Sequence, residues 1–197
     1  MTKYNPDIHH RRSIRLKGYD YSQAGMYFIT ICVQNRVCML GEIINGEMQL
    51  NEYGRIAHDE WLKLSERYPN ALLDVFQIMP NHMHGIIVLM EKDNASAVGA
   101  GFTPAPTGFT PAQNRATARV APTVAARVAP TVGNIVGAYK SLVANGCLKI
   151  CKSRNEYLGK LWQRNYFEHI IRNEKSYQHI ADYIATNPAR WESDRFF

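Results

Sequence analysis

The stretch that most constrains the fold is the apolar run at positions 76–90, FQIMPNHMHGIIVLM. A run of this length, rich in branched side chains and entered through Pro80-Asn81, is typical of a buried strand that follows a turn. Because successive side chains of a strand point to opposite faces, His82 and His84 are predicted to share one face while Met83 enters the core. Two imidazoles held side by side are able to share one metal ion. The spacing alone is a weak motif, because paired strand histidines also occur on solvated faces.

Composition limits the classes of protein to be considered. The chain has 197 residues, 46% of them apolar, which suits one domain with a proper core. It has no apolar run long enough to span a membrane and no signal-peptide core near its first residue, so we expect a cytoplasmic protein without membrane contact. Its four cysteines form no C-x-x-C pair and predict no disulfide framework. A net charge of +6 favours an acidic partner, most economically nucleic acid.

The order of periodic segments predicts an α+β fold with a mainly antiparallel sheet. A strand at 25–33 precedes a hairpin at 36–50 that turns at Asn45-Gly46. Asn51 is placed to cap a helix over 52–68, and a strand at 71–79 leads into the histidine strand. Helices segregated on one face of such a sheet are the economical packing.

Short repeats interrupt this pattern at 92–132. GFTPA occurs at 101 and again at 108, and RVAPTV occurs at 119 and again at 127. Repeats this short, rich in Pro, Ala, Thr and Gly, bury little apolar area against their ordering cost. We expect a flexible insertion between a strand and a helix, within a single domain that spans 1–197.

Basic residues gather in two parts of the chain. Those of the first eighteen positions form either a solvated tail or an arm that contacts phosphates. Those of positions 149–166 alternate with Tyr157, Trp162 and Tyr166, which suits phosphate contact with base stacking, or else a solvated surface. The candidate DNA contacts are Arg11, Arg12, Arg15, Lys17, Lys140 and Arg164.

The last predicted helix, at 174–186, carries Tyr183, with Asn187 one turn further on the same side. Pro188 is expected to stop the helix and to push the backbone of Asn187 out of the helical region. An amide oxygen would supply a third metal ligand beside His82 and His84, and a phenol beside it would be a nucleophile. Such a set, without a carboxylate, would accept Mn²⁺ readily and Mg²⁺ more weakly.

Several segments together resemble a known family. MPNHMHGIIVL resembles the His-hydrophobe-His motif of the single-tyrosine HUH transposases, and YIATNP resembles their catalytic helix. RRSIRLKGYDYSQAGMYFITICVQNR, GNIVGAYKS and LWQRNYFEHIIRNE are similar to the branch called REP-associated tyrosine transposases. The order of these segments matches, and they cover nearly the whole chain outside the insertion.

The resemblance implies a ferredoxin-like (RRM-like) sheet with the histidines on a central strand and the tyrosine on a helix packed nearby. It implies Mg²⁺- or Mn²⁺-dependent cleavage and joining of single-stranded DNA near hairpin-forming repeats, through a covalent 5′-phosphotyrosine. Carried over by position, His82, His84 and Asn187 are the metal ligands and Tyr183 is the nucleophile. A homodimer is compatible with the family, but no complementary surface is evident in the sequence.

Three alternatives remain open at this point. Tyr166 is a rival nucleophile, although position 170, four residues later, is an isoleucine that cannot bind metal. A domesticated transposase that binds repeat hairpins without cutting them would keep the basic arm and need not keep Tyr183. A small metal hydrolase would combine the two histidines with a cysteine, and it would leave the basic composition unexplained.

Overall fold

The computed structural model describes residues 19–91 and 130–194. The strands are β1 Gly25–Cys32, β2 Gly41–Ile44, β3 Glu47–Leu50, β4 Ala71–Ile78, β5 His82–Leu89 and β6 Phe167–Ile171. The helices are α1 Glu52–Leu62, α2 Leu64–Arg67, α3 Val132–Ser153 and α4 Glu174–Thr186, with 3-10 turns at Gln34–Arg36 and Pro188–Ser193. The predicted basic arm, with Arg11, Arg12, Arg15 and Lys17, and positions 92–129 of the predicted insertion lie outside the described residues.

The main sheet has the strand order β4-β5-β1-β6, and every neighbouring pair is antiparallel. β1 and β4 therefore run parallel with β5 between them, and α1 connects them, while α3 connects β5 to β6. This is the βαββαβ arrangement of a ferredoxin-like fold, so the predicted α+β class and antiparallel sheet are confirmed. The histidine strand β5 is central, as expected, and Thr30 and Cys32 of β1 lie opposite His84 and His82.

The sheet has a separate apolar cluster on each face because β1 alternates along its length. Tyr27, Ile29 and Ile31 belong to the larger cluster, which includes the buried side chains of α1 and α3. Phe28 belongs to a smaller cluster on the other face, together with Ile184 of α4. Helices α1 and α3 thus lie together on one face of the sheet, as expected. Helix α4 covers the opposite face, which is the face that carries the histidines.

Three local boundaries differ from the sequence predictions. The helix expected over 52–68 breaks at Lys63, which ends α1 and precedes the short α2. α3 begins at Val132, inside the predicted insertion, because Thr131 forms a capping box with Asn134. Asn187 keeps helical angles (φ −58°, ψ −42°) rather than leaving the helical region. Pro188 occupies the first position of a following 3-10 turn. A proline is tolerated there because a backbone N–H at that position would have no partner within the turn.

The hairpin formed by β2 and β3 is a separate two-stranded sheet. Its predicted turn is confirmed, since Asn45 (φ 53°) and Gly46 (φ 77°) both have the positive angles of a tight hairpin turn. A Cβ atom on Gly46 would lie 3.5 Å from the Cα atom of Ala189, so the hairpin tip approaches the 3-10 turn that follows α4. Within residues 19–91 and 130–194, none of the helices has the length and apolar composition that crossing a membrane requires.

Candidate active site

The two histidines of β5 meet on the α4 face of the sheet, as the strand alternation predicts. Their Nε2 atoms lie 3.0 Å apart, and the side chains are fully buried. Met83, between them, is buried in the larger cluster on the other face. The structure thus brings both imidazoles to one point in a site with almost no water contact.

The Nδ1 atom of each histidine, which points away from the other histidine, lies within hydrogen-bond distance of a neighbouring side chain. His82 Nδ1 lies 2.8 Å from Oδ1 of Asn81, and His84 Nδ1 lies 2.8 Å from Oγ1 of Thr30. Asn81 and Thr30 are themselves buried. Neither was predicted as a site residue, although the sequence held a signal for Thr30, which is a polar residue in the otherwise apolar run of β1.

Tyr183 reaches this site from α4. Its hydroxyl oxygen lies 3.2 Å from His84 Nε2, and its ring packs edge-on against His84 and Phe28. The apolar face of α4 holds it there through Ile180 and Ile184. Tyr166, the rival nucleophile, packs instead against the larger cluster, which lies beneath α1 and α3.

A carboxylate that the sequence analysis missed completes the cluster. His82, His84 and Asp194 place ligand atoms within 4.8 Å of one another, and the Asp194 side chain is 1% exposed. Asp194 Oδ2 lies 3.8 Å from His82 Nε2 and accepts a hydrogen bond from Asn187 Nδ2 at 2.8 Å. Because Asp194 follows an irregular turn, no periodicity in the sequence pointed to it.

The donor atoms present fit a divalent cation. Asn187 is 2% exposed, and its Oδ1 atom has no hydrogen-bond partner among the described residues, which is costly for a buried acceptor. Two imidazole nitrogens, a carboxylate and an amide oxygen form a mixed set that suits Mn²⁺. The cluster thus offers a carboxylate that the expected set of His82, His84 and Asn187 does not include. Among residues 19–91 and 130–194, the cluster capable of holding a metal contains no cysteine.

The 3-10 turn after α4 covers one side of the site. Trp191 stacks on the ring of His82, with centroids 6.1 Å apart and planes 27° from parallel. Together with Asp194 this turn shields the histidines from solvent. Tyr183, on the other hand, is partly exposed.

The two described candidates for DNA contact differ in their surroundings. Lys140 is half-buried and donates hydrogen bonds from Nζ to the backbone carbonyls of Gln163 and Arg164, at 2.7 and 3.1 Å. Burial lowers the pKa of Lys140, and the nearby charge of Lys160 adds to the effect. Arg164 is exposed. Lys140 thus joins α3 to the 163–164 segment, and Arg164 is the side chain available at the surface.

The chain is similar to known proteins in sequence and in structure. No protein-family model matches the chain. It is 42% identical over 196 residues to a Haemophilus influenzae protein named "Uncharacterized protein", covering 100% of this chain and 98% of that protein, and it belongs to the same family. It is 25% identical over 172 residues to a second H. influenzae protein, named "Putative REP-associated tyrosine transposase", covering 87% of this chain and 74% of that protein.

The chain is a relative of the REP-associated tyrosine transposases. The resemblance recognised in the sequence is thereby confirmed. A solved structure of a REP-associated tyrosine transposase bound to a REP hairpin aligns with 97% of this chain and 74% of its own, at 19% identity and a TM-score of 0.48.

Proposed function

We propose that the chain is a metal-dependent transposase or endonuclease of single-stranded DNA, which cleaves and rejoins strands at hairpin-forming repeats. The observation that carries this proposal is the hydroxyl of Tyr183, which lies 3.2 Å from His84 Nε2 beside a buried cluster of metal-ligating side chains. A phenol next to a cation site is suited to attack a phosphodiester.

In the proposed reaction, Tyr183 Oη attacks the phosphorus of one phosphodiester and forms a new P–O bond. The P–O3′ bond breaks, so the protein becomes joined to a 5′-phosphate and a strand with a free 3′-hydroxyl is released. The phenolic proton passes to solvent, which reaches the partly exposed Tyr183, and the leaving 3′ oxygen takes up a proton. Because the number of phosphodiester bonds is conserved, a later 3′-hydroxyl can reverse the step without ATP.

The residues that would hold the cation are His82, His84, Asp194 and Asn187. When bound, Mg²⁺ or Mn²⁺ polarises a phosphoryl oxygen and balances the charge that develops during attack. The protein's own contribution is to hold the imidazoles at the end of β5 and the phenol on α4. An ordinary tyrosine, with a pKa near 10, is ionised in only about one molecule per thousand at pH 7. The phenol is therefore a weak nucleophile, and its attack depends on being held beside the cation site.

The proposed substrate is single-stranded DNA that contains a hairpin. A net charge of +6 supports binding to a polyanion, and the relationship to a REP-associated protein supports repeat hairpins as the target. Arg164 and the basic arm at 1–18 are the proposed contacts to phosphates.

One observation favours a second candidate, a protein that binds repeat hairpins without cutting them. His82 and His84 are fully buried, and Trp191 stacks over His82, so the site is closed in this structure. A closed site would suffice for a DNA-binding module. The close contact of Tyr183 with the histidines favours the enzyme.

The two candidates are separated by an adduct assay on end-labelled hairpin DNA with Mn²⁺. If the protein is an enzyme, we expect wild type to give a covalent protein–DNA adduct, seen as a band on a denaturing gel. The band should disappear when EDTA is added and in Tyr183→Phe. Tyr166→Phe is the matched control and should still form the band. Equal binding of DNA by wild type and Tyr183→Phe, with no band from either, would establish the binding module instead.

A further inference from the structure

The candidate metal site depends on which ring nitrogen of each histidine carries a proton. A neutral imidazole binds a cation through the nitrogen that has a free lone pair, and metal-binding histidines usually donate the other N–H to a neighbouring acceptor. In this structure both Nε2 atoms face the shared point, and both Nδ1 atoms face buried polar side chains.

The orientation of the Asn81 amide is fixed by a second contact. Its Nδ2 atom donates to the backbone carbonyl of Arg36 at 3.2 Å. A carbonyl oxygen can only accept, so the amide nitrogen must face Arg36 and Oδ1 must face His82. Oδ1 in turn accepts only, which means that Nδ1 of His82 carries the proton. The lone pair of His82 Nε2 therefore points into the site.

Thr30 meets a different requirement at His84. When both imidazoles are neutral and no cation is bound, two lone pairs at 3.0 Å would repel each other, so His84 Nε2 carries a proton and donates it to His82 Nε2. The Tyr183 hydroxyl, 3.2 Å from the same nitrogen, lies beside that N–H group. The Thr30 hydroxyl then donates to His84 Nδ1. With a cation at the shared point, His84 must carry its proton on Nδ1, and the same hydroxyl accepts it. A hydroxyl can reverse its role in this way, whereas an amide nitrogen or a carbonyl cannot.

We infer that Asn81 and Thr30 are positioning residues: Asn81 sets the tautomer of His82, and Thr30 accommodates the tautomer of His84 in which both Nε2 atoms serve one cation. The part that concerns the cation rests on the proposed function, and the tautomer of His82 does not. The turn at Gln34–Arg36 supports this arrangement, because Asn35 and Arg36 both adopt positive φ angles of 56° where the Arg36 carbonyl receives the Asn81 amide.

The first test is NMR of the metal-free protein at about pH 8.5, well above the ordinary imidazole pKa of about 6.5. Long-range ¹H–¹⁵N correlations distinguish the two neutral tautomers. We expect His82 with its proton on Nδ1 in wild type, and a loss of that preference in Asn81→Leu. Asn81→Asp keeps an acceptor oxygen and should keep the Nδ1–H form, so it serves if Asn81→Leu does not fold.

The second test is Mn²⁺ affinity by titration calorimetry. Thr30→Val, which replaces the hydroxyl with a methyl group of similar size, should weaken binding about 10- to 100-fold, as does the loss of other outer-shell partners. Thr30→Ser should restore most of the affinity. Asn81→Leu should weaken binding to a similar extent, with unchanged far-UV circular dichroism.

The outcomes distinguish this inference from the proposed function. A wild-type His82 with its proton on Nε2, or a His82 tautomer unchanged in Asn81→Leu, would overturn the role of Asn81. Equal Mn²⁺ affinities of wild type and Thr30→Val would overturn the role of Thr30. A wild-type protein with the expected His82 tautomer that binds no Mn²⁺ would overturn the proposed metal site while supporting the assignment of Asn81.

Discussion

Two basic residues that look alike in the sequence have different tasks in the structure. Lys140 is held by two backbone carbonyls of the 163–164 segment, and Arg164 projects from that segment into solvent. An exposed arginine that contacts one phosphate contributes to the salt dependence of binding, whereas a lysine that holds backbone carbonyls contributes mainly to stability.

We therefore expect Arg164→Ala to weaken binding to hairpin DNA and to reduce the slope of log K against log salt by about 0.7. Its melting temperature should stay near that of wild type. Lys140→Met, which keeps the apolar stem, should instead lower the free energy of unfolding by about 1 kcal/mol. Fluorescence anisotropy over a salt series and thermal melts measure the two effects. An unchanged salt slope for Arg164→Ala would contradict its role as a phosphate contact.

The candidate site residues that lie on regular elements were within reach of the sequence. His82 and His84 follow from the alternation of β5, and Tyr183 from its place on α4 together with the family resemblance. Asp194 could not be predicted, because it follows a 3-10 turn whose direction depends on its packing against the β2–β3 hairpin. The tautomer-setting contacts depend on pairing across strands, which the sequence alone does not give.

Among the elements, β5 and α1 are in unusually close contact behind the histidines. A Cβ atom on Gly85 would lie 2.6 Å from Cζ2 of Trp61, so the indole occupies the space that a side chain would need. Trp61 is fully buried on α1. The glycine that follows the histidine pair therefore lets the helix pack directly on the strand that carries the site.

Gly85→Ala is expected to lower the free energy of unfolding by about 1–3 kcal/mol, because the buried indole and the strand must shift. Gly137→Ala is the matched control, since a Cβ atom there meets nothing within 4 Å. Gly137 lies inside α3, where alanine is favoured over glycine by about 0.5–1 kcal/mol, so this variant should be more stable than wild type. Urea unfolding measures both, and destabilisation of equal size in the two variants would rule out the packing explanation.

The 3-10 turn after α4 supplies Asp194 to the site. If its carboxylate binds the cation, Asp194→Asn should weaken Mn²⁺ binding by at least about 10-fold, the lower limit for loss of an outer-shell partner. Asp182→Asn makes the same change of charge at an exposed position of α4 and should leave the affinity unchanged. Calorimetric titration compares the two. Equal affinity in Asp194→Asn and wild type would show that Asp194 serves only to hold Asn187.

Across the whole molecule, burial raises the pKa of several thiol and phenol groups. Burial raises the pKa of Cys147 to about 12, with a further contribution from nearby Cys151. Burial and the hydrogen bond with Asp74 raise the pKa of Tyr177 to about 12. Burial raises the pKa of Tyr139 as well. The folded chain therefore retains protons at a pH where the unfolded chain has lost them.

This linkage predicts that stability declines in alkali. The contribution of these groups is fully present below about pH 7.5, where thiols and phenols are protonated in both states, and it is lost as the pH rises toward 12. We expect the free energy of unfolding to fall by at least roughly 2 kcal/mol between pH 9 and pH 11. Urea midpoints measured at intervals over that range test it, and a flat profile would contradict the burial of these protons.

At the scale of the fold, the sequence predicted β1, β4, β5 and the amphipathic helices because their segments have clear periods, but it did not predict β6, which forms one edge of the sheet. The residue pattern alone did not show that α4 covers the histidine face, although the family resemblance implied a tyrosine helix packed near the histidines. The apolar stripe of α4 shows that the helix is buried on one side, but a stripe does not reveal which face of a sheet it covers. That choice brings Tyr183 to the histidines.

The most direct test of the central proposal is to identify the residue that becomes joined to DNA. After reaction with hairpin DNA and Mn²⁺, nuclease trimming and trypsin digestion, the two rival tyrosines lie on different peptides, Tyr183 on 176–190 and Tyr166 on 165–172. We predict a nucleotide-bearing 176–190 peptide whose fragment ions place the modification on Tyr183 rather than Tyr177. A modified 165–172 peptide, a modification on Tyr177, or no modified peptide at all would contradict the proposed mechanism.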